Sequence, residues 1–217
     1  MFAKNSLQFY GDSMERSYVS PGPEGLRALS HPGRLRMLGL LRTEGPATAT
    51  TLATRLGLNS GATSYHLRQL EKHGFIEEDT SRGNARDRWW RAAHQATQAD
   101  IANATTPEEE DTLDAYLQAV TITYSEQLQR ALEERRLVPR EWQDASDISD
   151  WSLRLTPARA QELVETLHAI VEGWDEADPD EPGTAPFRVN INAFVRPGYL
   201  TSGRPTSEGG ETSEGDR

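Results

Sequence analysis

The segment from residue 26 to 91 constrains this chain more than any other, because its breakers fall at the spacing of two short helices joined by a tight turn. Thr48 offers a side-chain oxygen to cap a helix at its amino end. Leu52, Ala53 and Leu56 recur on one face of the helix it would cap. Gly57 supplies the left-handed residue on which helices commonly end. Leu58 reads as a core plug, and Asn59 or Ser60 caps a further helix running to about His73. Helix, glycine turn, helix is the helix-turn-helix layout. Upstream, residues 24–30 form a helical turn carrying Leu26 and Leu29, and His31-Pro32 opens a helix, since proline at the first position costs no hydrogen bond. Leu35, Leu38 and Leu41 give that helix its buried stripe, and Gly45-Pro46 stops it.

The helix after Gly57 divides into two faces. Leu67 and Leu70 face inward, with Thr63 one turn before Leu67. Ser64 and Arg68, four apart, share an outward face with Tyr65 and Gln69 alongside. Arg68 can bond guanine edges or phosphate, and Ser64 and Gln69 can bond bases less selectively. Ordinary solvated positions would look the same, and the segment after the helix decides between the two. Gly74 ends the helix, Phe75-Ile76-Glu77-Glu78 reads as a short strand, Gly83-Asn84 as a turn, and Arg86-Asp87-Arg88-Trp89-Trp90-Arg91 as the return. A helix-turn-helix followed by a basic hairpin is a winged helix, with Arg82 and Arg86 at the tip placed to enter a minor groove. Trp89 and Trp90 point to opposite faces, so one belongs to the core. The candidate DNA-binding residues are Thr48, Ser60, Thr63, Ser64, Tyr65, His66, Arg68, Gln69, Arg82, Arg86 and Arg88.

Charge agrees. The whole chain is acidic, with a formal net charge of -11. Residues 24–94 nevertheless hold eleven Lys and Arg against seven Asp and Glu, a balance of +4, which leaves -15 for the rest.

These residues also carry a family resemblance. The run from Ala28 to Leu38, which includes Ser30-His31-Pro32-Gly33-Arg34, resembles the opening of ArsR-like bacterial winged-helix regulators. Thr63-Ser64-Tyr65-His66-Leu67-Arg68-Gln69-Leu70-Glu71-Lys72-His73-Gly74-Phe75-Ile76 is similar to their recognition helix and following strand, and residues 83–90 to their wing. The resemblance covers about a third of the chain. It implies a homodimer that binds an inverted-repeat operator in double-stranded DNA, usually as a repressor released by an effector. The family's best-known effectors are metal ions. This chain has no cysteine, which removes thiolate sites, and its five histidines form no close His-x-x-His or His-x-x-x-His pair. No metal site and no cofactor are expected.

After a polar connector, Thr106-Pro107-Glu108 starts a long helix with apolar residues Leu113, Tyr116, Leu117, Val120, Tyr124, Leu128, Ala131 and Leu132 at three- and four-residue steps. This helix is expected to contribute to pairing two subunits, the alternative being packing within its own. Trp151-Ser152-Leu153-Arg154-Leu155 alternates as a strand does, Thr156-Pro157 caps a second amphipathic helix, and residues 187–195 alternate again. Trp142, Trp151 and Trp174 are candidates to line a pocket for an apolar or aromatic small-molecule effector; alternatively they fill the core of this module.

The expected fold is therefore mainly α with small β. A flexible leader (1–22) precedes a winged helix-turn-helix domain (23–94), a linker (95–106), a helix-strand-helix-strand α+β module for dimerisation and effector binding (107–197), and a disordered tail (198–217). No phosphate loop, nucleophile motif or histidine–carboxylate arrangement points to an enzyme. No apolar run suits a membrane and Met1–Tyr10 lacks the apolar block of a signal peptide, so a cytoplasmic protein is expected. The function that fits is a dimeric, sequence-specific transcriptional repressor with a non-thiolate signal. The alternatives are a winged-helix protein-interaction module using the acidic carboxy-terminal part, or a repressor responding to a metal held by nitrogen and oxygen ligands.

Overall fold

Leucines spaced three and four apart between residues 26 and 70 need a common apolar centre, and they find one. A computed structural model describes residues 17–82, 87–99, 104–178 and 180–200. Its element order is β1 (Tyr18–Val19), α1 (Pro23–Leu29), α2 (Pro32–Thr43), β2 (Ala47–Thr48), α3 (Ala49–Leu56), α4 (Ser60–Lys72), β3 (Ile76–Glu78), β4 (Trp89–Ala92), β5 (Ala96–Thr97), α5 (Pro107–Glu134), α6 (Arg140–Ala145) and α7 (Pro157–Glu172). The fold is mostly helical with two small sheets and a winged helix-turn-helix at its amino-terminal side. The backbone divides into two units, one ending at Trp151 and one beginning at Ser152.

In the first unit Leu29, Met37, Leu38, Leu52, Leu67, Leu70, Phe75 and Ile76 are almost wholly shielded from solvent and form one cluster. β4 is the centre of a three-stranded antiparallel sheet. It pairs with β2 through Ala47–Trp90 and Thr48–Trp89, and with β3 through Ile76–Ala92, Glu77–Arg91 and Glu78–Trp90. The indole that joins the core is that of Trp90. β2 is not evident from sequence; it is only two residues long. Leu58, expected to plug the core, is instead 37% exposed, since the left-handed Gly57 turns the chain outward before Asn59 begins α4.

Two segments pack against the winged unit. Ser17–Val19, expected in a free leader, is tied down: β1 runs parallel to β5, and the Ser17 carbonyl accepts from the Gln95 and Ala96 N–H groups. Residues 1–16, the rest of that leader, lie outside the described residues, as do 201–217 of the expected tail. The second is the start of α5. α5 opens as expected, with a capping box in which Thr106 and Glu109 exchange bonds, but its first half belongs to the winged unit. Thr112, Leu113, Tyr116, Ala119 and Thr123 are buried, and α5 packs along α1 and α2. Arg36 on α2 pairs with Glu126 on α5. Leu128 and Leu132, on the second half of the same stripe, are 44% and 47% exposed. Residues 140–145, irregular by their sequence, form α6.

In the second unit Thr156 caps α7 as expected, accepting from the Arg159 N–H at 3.4 Å. The expected strands at 151–155 and 187–195 do not form. Alternation stabilises a strand only when a neighbour takes its N–H and C=O groups and one face is covered. Leu153 is 61% and Val189 54% exposed, so no face is covered.

Candidate nucleic-acid interface

α4 is set by its caps. Gly57, at φ 64°, lets the Leu58 N–H return to the Ala53 carbonyl at 2.9 Å and closes α3. Asn59 then starts α4, its Oδ1 accepting from the Ala62 N–H at 2.7 Å. With the start fixed and Leu67 and Leu70 pinned in the core, the outward face is determined. Ser60, Tyr65 and Arg68 are exposed, and Ser64 and Gln69 are half-buried. Arg68 Nε donates to the Ser64 carbonyl at 3.1 Å, which lays the guanidinium along the helix and leaves its other nitrogens available to a ligand.

Three of the candidate residues are placed otherwise. Thr63 is fully buried and its hydroxyl donates to the Asn59 carbonyl at 3.0 Å, so it is a core residue and cannot touch DNA. Thr48 is half-buried at the start of α3, where its Oγ1 accepts from the Thr51 N–H at 3.2 Å, the capping role anticipated for it. His66 turns toward α2 rather than outward: its ring lies 4.4 Å from that of His31, and its Nδ1 is buried with no hydrogen-bond partner among the described residues.

His31 itself is a helix cap. Its Nδ1 accepts from the Gly33 N–H at 3.0 Å, so the proton of the neutral ring is on Nε2. A Cβ at Gly33 would come within 3.1 Å of this ring, which is why glycine suits the position. Burial, reinforced by the Arg34 guanidinium, holds the His31 pKa below its ordinary 6.5. Burial first, then the neighbouring His31 and Arg34, does the same for His66. Both rings are thus neutral in the folded state at pH values where the unfolded chain begins to protonate. Stability is full above pH 6.5 and is lost as pH falls below it toward the depressed folded values. Thermal melts between about pH 7.5 and 5 are expected to show this loss, and His31→Asn, which keeps an acceptor that does not protonate, is expected to flatten part of it.

Hydrogen bonds fix the base of the hairpin. The Asp79 N–H donates to the Trp89 carbonyl at 2.8 Å, and Asp79 Oδ1 accepts from the Ser81 hydroxyl at 2.5 Å and the Ser81 N–H at 3.1 Å. The Ser81 hydroxyl is the main cause holding the Asp79 carboxyl below its usual range. Arg82, with its side chain 58% exposed, stands 3.6 Å from Asp79 and 6.0 Å from the Trp89 ring centroid. Arg88 is engaged within the molecule, with Glu71 at 2.8 Å and Glu78 at 2.6 Å, over the Trp90 ring at 4.3 Å. Glu71 and Glu78 look in sequence like solvated carboxylates, and only their pairing through Arg88 gives them a place in the site. Arg86 lies outside the described residues.

The three tryptophans expected to line a pocket are described one by one: Trp142 is half-buried in α6. Trp151 and Trp174 are 80% and 73% exposed, and an apolar site must bury the rings that line it. Among the described residues no three His, Asp or Glu side chains converge as a metal-binding group. Among the same residues no helix is long and apolar enough to cross a membrane.

Residues 29–79 match the family model of a helix-turn-helix domain. No curated protein matches the chain. Among solved structures, a double mutant of Lactococcus lactis ZitR in its apo form is similar at 16% identity and TM-score 0.28, over 64% of this chain and 80% of that one. A Mycobacterium tuberculosis protein, Rv1404, is similar at 19% identity and TM-score 0.27, over 70% and 84%. The family match falls on α2, α3, α4 and β3, where the caps at Thr48 and Asn59 and the buried Leu67 and Leu70 fix the geometry, and residues 29–79 are a helix-turn-helix domain.

Proposed function

We propose that this protein is a sequence-specific DNA-binding transcriptional regulator, acting as a dimeric repressor of the ArsR-like type on an inverted repeat. The observation that carries the reading is the outward face of α4. Ser60, Tyr65 and Arg68 are exposed, with the half-buried Ser64 and Gln69 beside them, on a helix fixed by Asn59 and Leu67. In helix-turn-helix proteins this second helix lies in the major groove. Arg68 and Gln69 contact base edges, Ser60 and Ser64 contact bases or phosphate at the helix start, and Tyr65 packs on thymine methyls. Arg82 and Arg86 reach the adjacent minor groove. The unburied apolar residues Ile122, Leu128 and Leu132 of α5 face a second subunit, which sets two α4 helices about one DNA turn apart. The signal is not read through thiolates, because the chain has no cysteine.

Titration of genomic fragments at two or more salt concentrations tests this. The protein is expected to prefer a few fragments and to weaken steeply with salt. Arg68→Ala is expected to cost about 1–3 kcal/mol on the preferred fragment and to relax its sequence preference, with thermal stability unchanged. Equal binding to all fragments at low salt would rule the reading out.

A second reading is favoured by one observation. α7 leaves Leu163, Leu167 and Ile170 exposed on one side, as a protein-docking helix does. On that reading the acidic carboxy-terminal part recruits another protein to the DNA-bound regulator.

A further inference from the structure

Arg88 lies in the basic hairpin and its charge alone suggests a phosphate contact. Its surroundings say otherwise. The guanidinium meets carboxylates from two different elements: Nη2 donates to Glu71 Oε1 in the last turn of α4 at 2.8 Å, and Nε donates to Glu78 Oε2 at the end of β3 at 2.6 Å. Arg88 itself immediately precedes β4, and its Cζ stands 4.3 Å from the centroid of Trp90, which is buried in the core. One planar group therefore joins the reading helix, the outgoing strand and the return strand. A guanidinium can do this because it carries donors in a fixed fork and a flat face for the indole. Its donors on this side are committed to carboxylates, which leaves it poorly placed to neutralise a phosphate.

The geometry points to Arg88 as a positioning residue that sets the angle between α4 and the hairpin, rather than as a DNA contact. This rests on the DNA-binding reading proposed for α4. A winged helix reads two surfaces of the duplex at once, with the helix in one groove and the hairpin beside it. Both can engage only if the angle between them is held. Each exposed ion pair contributes little to stability alone. The clamp acts by restricting how the hairpin swings. Glu71 and Glu78 matter for the same reason, since without Arg88 two free carboxylates would also stand near the phosphates.

The test compares the full-length wild type with Arg88→Ala and Arg88→Lys. Two readouts are taken: duplex binding against salt, and hydrogen exchange of the hairpin amides, among them the Asp79 N–H that bonds Trp89. The clamp predicts about tenfold weaker binding to the preferred fragment for Arg88→Ala, with the slope of log affinity against log salt unchanged. It predicts the same loss for Arg88→Lys, whose ammonium keeps the charge but cannot span both carboxylates and stack. It also predicts faster exchange at Asp79 in both variants. A slope reduced by about one in Arg88→Ala, with Lys restoring the affinity, would identify a phosphate contact and overturn the proposal. Unchanged hairpin exchange would overturn it too, and that readout needs no DNA. Failure of the wild type to prefer any fragment would instead refute the DNA-binding reading. Should Arg88→Ala not fold, Glu78→Gln, which removes one arm of the clamp, is expected to speed exchange at the same amide, and normal exchange there would count against the clamp.

Discussion

Replacing Trp90 by alanine lowers the unfolding free energy of the unit ending at Trp151 by about 3–5 kcal/mol, against a typical total of about 5–15 kcal/mol for a domain. Trp90 is only 4% exposed and sits on the central strand, opposite Ala47 on one side and Glu78 on the other. Its indole is the one large aromatic that the three-stranded sheet presents to the helical core, where it joins Leu29, Leu38, Leu67 and Phe75. A cavity of that size cannot be filled by side chains already locked between helices, so the transfer and cavity costs add. Trp89 points the other way and is half-buried. Urea unfolding followed by circular dichroism should show a lower midpoint for Trp90→Ala at unchanged slope, and a markedly smaller shift for Trp89→Ala. Equal costs for the two would mean that the inner face of β4 has been misassigned.

That pair of tryptophans shows where sequence reading succeeds and where it stops. Period-two alternation says that adjacent strand residues face opposite ways, but not which is inside, because both residues are identical and the deciding partner, β2, is two residues of ordinary composition. The helix-turn-helix is legible because its signals are local. Gly57 has the left-handed conformation that ends α3, Asn59 caps α4, and Leu67 and Leu70 are both buried. Thr63 reads in sequence as both inward and DNA-facing. Its position one turn before Leu67 points to the core, and its full burial agrees with the periodicity rather than with its polar character. The partners of Arg88 are not legible. Glu71 and Glu78 are seventeen and ten residues away, and nothing in their spacing announces that one guanidinium will meet both. The His31 cap is hidden for a related reason: Pro32 marks the helix start, but a histidine cap is recognised only when its ring is seen to take the Gly33 N–H. In the carboxy-terminal unit the alternating segments 151–155 and 187–195 obey the strand pattern, yet pattern without a paired neighbour makes no strand.

The apolar stripe of α5 is a single continuous face in sequence, but its two halves have different surroundings, and this sets the remaining large effect. Leu113 and Tyr116 are 7% and 8% exposed and belong to the same cluster as the core of the winged helix, while Leu128 and Leu132 do not. Tyr116 is also desolvated enough to raise its hydroxyl pKa, and it lies near Arg42, whose Nε donates to the His94 carbonyl at 2.9 Å and whose Nη2 donates to Thr97 Oγ1 at 2.9 Å. α5 therefore covers α1 and α2. Burial of Leu113 and Tyr116 contributes about 1.5–3 kcal/mol each, a sum comparable with the whole stability of a small domain. A chain ending at residue 106 would expose to water the sides of α1 and α2 that α5 covers and is expected to lose cooperative unfolding at about 25 °C. A chain ending at Trp151, cut where the two units divide, is expected to keep a single transition at the midpoint measured for this unit in the full chain. Denaturant melts of the two truncations, read by circular dichroism, make the comparison directly. If the shorter chain unfolded at the same midpoint as the longer, α5 would be a separate pairing element after all, and the winged helix would be complete without it.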